Sequence, residues 1–143
     1  MPHLIKRVSD LKGVGPLIDI TLYPAAEIVR NVDLTKETLL HKNCIGLIDT
    51  GASISAIDRP IVKELNLISR DFIPVLTPSG VSHHFTYDIG LQLPKELGWK
   101  TYFIEVTGSD LEKQPFDVLI GRDVLENCTL IFNGWDNSFQ LHI

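Results

Sequence analysis

Apolar residues in this chain fall in short runs separated by turn-forming clusters, and few runs carry the 3.6-residue spacing of a long helix. Leu17-Ile18-Asp19-Ile20-Thr21-Leu22 alternates loosely and is rich in β-branched residues, which predicts a half-buried strand ending at Tyr23-Pro24. Cys44-Ile45-Gly46-Leu47-Ile48 predicts a buried strand that stops at Asp49-Thr50-Gly51-Ala52-Ser53 and so delivers polar residues into a turn. Asp58 stands where it can cap a short helix, with Pro60 tolerated in the first turn and Ile61, Val62 and Leu65 on one face. Residues 72–76 and 85–91 flank Thr77-Pro78-Ser79-Gly80, whose chemistry favours a reversal between two strands. Residues 101–106 and 116–120 read as further strands, the second running into Gly121-Arg122-Asp123. Residues 129–132 and 138–142 flank Asn133-Gly134, a strong hairpin signal. Between 25 and 43 two readings stand: residues 27–34 as a returning strand, and 35–41 as a loop or a single helical turn. The sum is one mainly β domain over residues 1–143, with residues 1–15 as an extended arm and one or two short helices.

Composition narrows the function. The chain has 143 residues, 44% hydrophobic and 22% charged, enough to build a core. Its 13 Lys and Arg against 18 Asp and Glu give a net charge of −5, and the longest basic cluster is Lys6-Arg7, which argues against a nucleic-acid partner. No apolar stretch near the N-terminus is long enough for a signal peptide or a membrane span, so a cytoplasmic protein without a membrane partner is expected. An initiator-like Met1 suggests a stand-alone product. Cys44 and Cys128 lack the spacing of a zinc site and read as small core hydrophobes, and the adjacent His83 and His84 would point to opposite faces of a strand. No metal and no cofactor is expected. Gly13-Val14-Gly15-Pro16 lacks the third glycine and the helix of a dinucleotide fingerprint.

The junction at Asp49 is the most informative place. An acid that follows a buried strand and precedes a glycine is held firmly while leaving room for a neighbouring backbone to approach. As a bare tripeptide, Asp-Thr-Gly is ordinary turn chemistry. Its context is not bare. Ile45-Gly46-Leu47-Ile48-Asp49-Thr50-Gly51-Ala52-Ser53 is followed downstream by Val118-Leu119-Ile120-Gly121-Arg122-Asp123-Val124-Leu125 and then Cys128-Thr129-Leu130-Ile131-Phe132. With both motifs in this order, and space between them for a helix, a hairpin and a return strand, the chain resembles the retropepsin-like aspartic proteases. The likeness of pattern covers residues 16–132.

That resemblance implies a small closed β-barrel with a flap hairpin, and peptide hydrolysis by a water activated between two aspartates. One such loop per chain implies a homodimer in which Asp49 of each copy meets at the two-fold axis. By the same resemblance Thr50 would exchange hydrogen bonds with its twin, Gly51 would contact the substrate backbone, and Ala52 and Ser53 would lie along the cleft floor. Thr77, Pro78, Ser79, Gly80 and Val81 would form the flap tip, and Ile120 would contact substrate, with Ile54, Ile57 and Val118 as further pocket residues. Gly121, Arg122 and Asp123 would be structural, Asp123 acting at a helix start rather than as a second acid, and Asp117 is expected at a solvated strand end. Alanine at 52 cannot donate to the ionised aspartate as Ser or Thr would, so an optimum at mildly acidic to near-neutral pH is expected.

The chain also departs from the family. Its flap has one Gly and one Pro where retroviral flaps are glycine-rich. Ser53 stands where those enzymes carry the acid that pairs with the helix arginine, leaving the partner of Arg122 open. Retroviral chains end near the strand matching residues 128–132, so the extra hairpin to Ile143 is a candidate for the dimer interface. Two other readings remain. One is a catalytically silent peptide-binding or dimerisation module on the same fold, and the other a monomeric all-β protein whose Asp-Thr-Gly is a solvated turn.

Overall fold

The computed structural model describes residues 2–25 and 39–143; the two readings offered for residues 27–34 and 35–41 fall largely outside them. The alternating segments form β1 (His3–Arg7), β2 (Leu17–Pro24), β3 (Lys42–Ile48), β4 (Ala56–Asp58), β5 (Phe72–Thr77), β6 (Gly80–Gln92), β7 (Thr101–Ser109), β8 (Val118–Ile120), β9 (Thr129–Asn133) and β10 (Ser138–His142). Among the described residues, short helices occupy Leu11–Val14 (α1), Arg59–Glu64 (α2) and Arg122–Leu125 (α3), and a 3₁₀ turn spans Lys95–Leu97.

Seven strands make one mixed sheet in the order β2-β3-β8-β4-β7-β6-β5. The ladders β3–β8 and β4–β7 are parallel, whereas β2–β3, β4–β8, β6–β7 and β5–β6 are antiparallel. The sheet bends far enough for the end of β2 to pair with the long strand β6 as well, Thr21 opposite Gln92 and Pro24 opposite Ile89. Inside it the inward positions of successive strands meet: Ile18, Ile20 and Leu22 of β2, Cys44 and Ile48 of β3, Ile57, Leu91, Val106, Val118 and Ile120. Full burial of each large aliphatic side chain among these contributes about 1.5–3 kcal/mol. Gly46 is the close approach in this core, since a Cβ there would lie 2.7 Å from the Ile120 Cδ1.

A second sheet has the order β1-β10-β9. Within residues 2–15, β1 pairs antiparallel with β10 from His3 opposite His142 to Arg7 opposite Ser138, and α1 follows, its N-cap Asp10 accepting the Gly13 N–H at 3.0 Å. The closing hairpin forms, but not on the expected dipeptide. Asn133 is paired with Ser138 in the ladder, leaving residues 134–137 as the loop, and the left-handed residue is Asn137 at φ 57°. Asp136 organises that loop by accepting the Ser138 N–H and hydroxyl.

The helix after β4 starts where the sequence places it, with Asp58 in the N-cap position and Pro60 in the first turn. The Asp58 carboxylate, however, makes no cap bond; it accepts the Leu111 N–H at 2.9 Å and ties down the loop beyond β7. Among the described residues no helix is long and apolar enough to cross a membrane.

Candidate active site

The parallel β3–β8 ladder carries straight into the acidic loop. The Asp49 N–H donates to the Ile120 carbonyl at 2.9 Å, extending the ladder by one residue beyond Ile48 and fixing where the carboxylate leaves the sheet. The chain then turns tightly. The Ala52 N–H donates to the Asp49 carbonyl at 3.3 Å, and the Gly51 N–H donates to Asp49 Oδ1 at 2.9 Å, orienting the half-buried carboxylate. A Cβ at position 51 would sit 3.2 Å from that oxygen, so glycine leaves the acid uncrowded.

The second motif clamps this loop from below. The Arg122 N–H donates to the Ala52 carbonyl at 2.8 Å, and the Arg122 Nη1 donates to the Thr50 carbonyl at 2.6 Å. The partner of Arg122, left open by Ser53, is thus a backbone oxygen. Gly121 lies directly against the loop, since a Cβ there would come within 2.8 Å of the Ala52 carbonyl oxygen and 3.0 Å of the Ile54 carbonyl carbon. Its φ of −90° is open to any residue, so the glycine is required by contact rather than by backbone angle. Ser55, fully buried, ties the layers together: its N–H and hydroxyl donate to the two oxygens of Asp123, and its Oγ accepts the Gly121 N–H at 2.9 Å. Asp123 Oδ1 also accepts the Val124 N–H at the start of α3.

Asp49 opens into a cleft of about 460 Å³. Gly51, Ala52, Ser53 and Ile54 form its floor, Thr107 and Leu119 one side, and Ile73 to Pro78 of the β5 arm the other. Asp49 is the one carboxylate among these lining residues. The hairpin arm turns through Pro78-Ser79, with Thr77 opposite Gly80 in the ladder and the Thr77 hydroxyl donating to the Gly80 carbonyl at 2.7 Å. Gly80 takes φ 123°, which a side chain would resist.

Several expected site residues do not reach the cleft. Ile120 is 1% exposed and packs on Gly46, and Ile57 and Val118 are fully buried, because strand alternation sends these positions inward. The cleft position on β8 belongs instead to Leu119. Ser79, Gly80 and Val81 lie beyond the lined cleft, with Val81 standing in solvent. Thr50 is exposed beside the acid. Asp117 stands half-exposed at the strand end before Val118, and its Oδ2 accepts the Ile45 N–H at 3.1 Å. Sequence reasoning missed Leu119, Thr107, Ile73, Val75, Leu76 and the buried Ser55. Leu119, Thr107, Ile73 and Val75 follow from phasing each strand on its neighbours, whereas Leu76 is out of phase with Ile73 and Val75 on β5. Ser55 carried no signal of its own.

The mainly β fold, with its mixed sheet and few short helices, is shared with a retropepsin-like aspartic protease from Rickettsia conorii, at a TM-score of 0.54 with 14% identity over 97% of this chain and 89% of that one. A foamy viral protease-reverse transcriptase in complex with an RNA/DNA hybrid aligns at a TM-score of 0.47 and 20% identity over 78% of this chain, which spans only 12% of the viral one. At 14% identity the likeness to the Rickettsia protein is one of fold. No protein-family model matches the chain, and no curated protein matches it by sequence.

Proposed function

We propose that this chain is a single-domain aspartic endopeptidase acting as a homodimer in the cytoplasm, its catalytic pair made of Asp49 from each copy. One observation carries the reading: a carboxylate fixed at the end of a parallel ladder, with a glycine N–H on one oxygen, opens into a cleft between two walls of the fold. The two carboxylates would share a proton. One draws a proton from the attacking water, the other donates a hydrogen bond to the scissile carbonyl, and a proton then passes to the departing amine. In this reading Thr50 bonds its twin across the axis, Gly51 meets the substrate backbone, and the hairpin tip from Thr77 to Val81 closes over the peptide. Gly121, Arg122 and Asp123 hold the loop rather than react. The apolar walls supplied by Ile54, Ile73, Val75, Leu76 and Leu119 suit an extended peptide with apolar side chains around the cut.

The test is cleavage of a peptide library by the purified chain across pH, with and without a transition-state analogue of aspartic proteases, alongside sedimentation. Cleavage blocked by the analogue and lost in Asp49→Asn by at least about 10³-fold supports the reading. Peptide binding without cleavage at any pH would assign the chain to the silent-module class, and a strictly monomeric chain would remove the catalytic pair.

A further inference from the structure

Thr107 of β7 lines the Asp49 cleft, while its neighbour Gly108 lines a second hollow of about 530 Å³, so the two lie on opposite faces of that strand. The second hollow is an open groove between α2 and the base of the β5–β6 hairpin. Gly108 keeps it open: a Cβ there would lie 3.2 Å from the Tyr87 Cε2 and 4.0 Å from the Val62 Cγ2, in the gap between sheet and helix. Along the sheet wall Phe72 faces Phe85 with ring centroids 4.7 Å apart and His83 at 5.5 Å. Both phenylalanines are more than half exposed, at 58% and 52%. Large aromatic surface left in water beside a groove marks a place where another molecule gains by covering it.

The helix wall adds charge. The side chains of Arg59 and Lys63 are exposed at the groove and make no ion pair or hydrogen bond among the described residues, whereas those of Arg7, Lys42 and Arg70 are each paired with a carboxylate. No acidic side chain lines the groove. The neighbouring Glu64 is taken by Lys42 at 2.7 Å, and the Asp58 carboxylate by the Leu111 N–H. Two cations without an ion pair thus stand beside an aromatic wall, on a chain whose net charge is −5.

We propose that this groove binds an acidic peptide segment carrying an aromatic or large aliphatic side chain: the apolar group covers Phe72 and Phe85 while the carboxylates meet Arg59 and Lys63. Two cations on an acidic chain are too few for a phosphate backbone, which favours a peptide over a nucleic acid. The site is separate from the Asp49 cleft, and its occupation does not depend on hydrolysis.

Fluorescence anisotropy tests this on the Asp49→Asn chain, with and without the transition-state analogue. The probe is a dye-labelled peptide alternating Glu and Phe; the comparisons are the same peptide with Lys for Glu, one with Ser for Phe, and a single-stranded oligonucleotide. The acidic aromatic peptide is expected to bind about tenfold more tightly than any comparison, and to weaken as salt is raised. Arg59→Glu combined with Lys63→Glu should lower its affinity by about tenfold, and Phe72→Ser by a smaller factor. These residues are surface-exposed, and the circular dichroism of each variant should match the parent. Equal binding of the basic peptide, tighter binding of the oligonucleotide, competition by the analogue, or indifference to the charge reversal would each overturn the proposal. Because the protein used cannot cleave, failure here leaves the protease reading untouched, and the reverse also holds.

Discussion

Asp123 grips Ser55 through both carboxylate oxygens, Oδ2 accepting the Ser55 N–H at 2.9 Å and Oδ1 its hydroxyl at 2.7 Å. The pair links the helix after β8 to the segment that leaves the Asp49 loop. An acid that reads in sequence as a helix-start residue therefore spends its charge on tertiary bonds. Hydrogen bonds to a charged group contribute about 1.5–3 kcal/mol each, net of the exchange with water. Asp123→Ala is expected to destabilise the fold by about 2–3 kcal/mol in urea unfolding, with Asp123→Asn milder because one acceptor survives. A loss below about 0.5 kcal/mol for alanine would mean that water replaces the contact.

Gly121→Ala tests the clamp by volume alone. The backbone angle accepts alanine, but the new methyl would lie 2.8 Å from the Ala52 carbonyl oxygen, which is backbone and cannot swing aside. The loop must move, at a cost of about 1–3 kcal/mol. If the chain cleaves peptides, activity should fall further than stability, because the same shift displaces Asp49. Thermal unfolding and the cleavage rate, measured side by side, separate the two effects.

Neighbouring residues on β8 should behave in opposite ways. Ile120→Ala removes a fully packed side chain and is expected to cost about 2–5 kcal/mol. Leu119→Ala faces the cleft and should cost markedly less, while altering which peptides are bound or cut. Comparable unfolding midpoints for the two variants would contradict the strand phase described above.

The phase of β8 also shows how far the sequence could be read. The runs that became β2, β3 and the β5–β6 hairpin were legible because alternation, β-branching and turn chemistry agree in them. Val118-Leu119-Ile120 offers three aliphatic residues in a row, with no polar member to say which faces inward, so the sequence points to Val118 and Ile120 on either side of the true cleft position, Leu119. Asn133-Gly134 failed for a different reason. Asp136, reaching the Ser138 N–H and hydroxyl, organises a four-residue loop and pulls Asn133 into the ladder. Local dipeptide preference lost to a side-chain bond two residues further on. The partner of Arg122 was illegible in principle, because a backbone carbonyl leaves no mark on residue identity.

Stability should decline in alkali through Cys44. Burial pushes its thiol up from about 9 to about 12, with the Asp117 charge adding to the effect. Between those two values the unfolded chain has lost the proton that the folded chain keeps. Unfolding then releases a proton, and stability falls by about 1.4 kcal/mol for each pH unit above 9. Below 9 the contribution is fully present. Urea midpoints measured from pH 8 to 11 should show this slope in the parent and a shallower one in Cys44→Ala. An identical slope in both would assign the decline to other groups, such as Lys42 and Tyr102, whose ordinary values are also raised in the fold.

The ladder between β1 and β10 joins residues from almost opposite extremes of the polypeptide. Closing a register over so long a stretch costs more chain entropy than any hairpin in the molecule, so it is expected to form late in refolding. Until it does, Phe139 and Leu141 have no cover from the first strand, and the three-stranded layer is the part of the molecule most open to mispairing with another copy of itself.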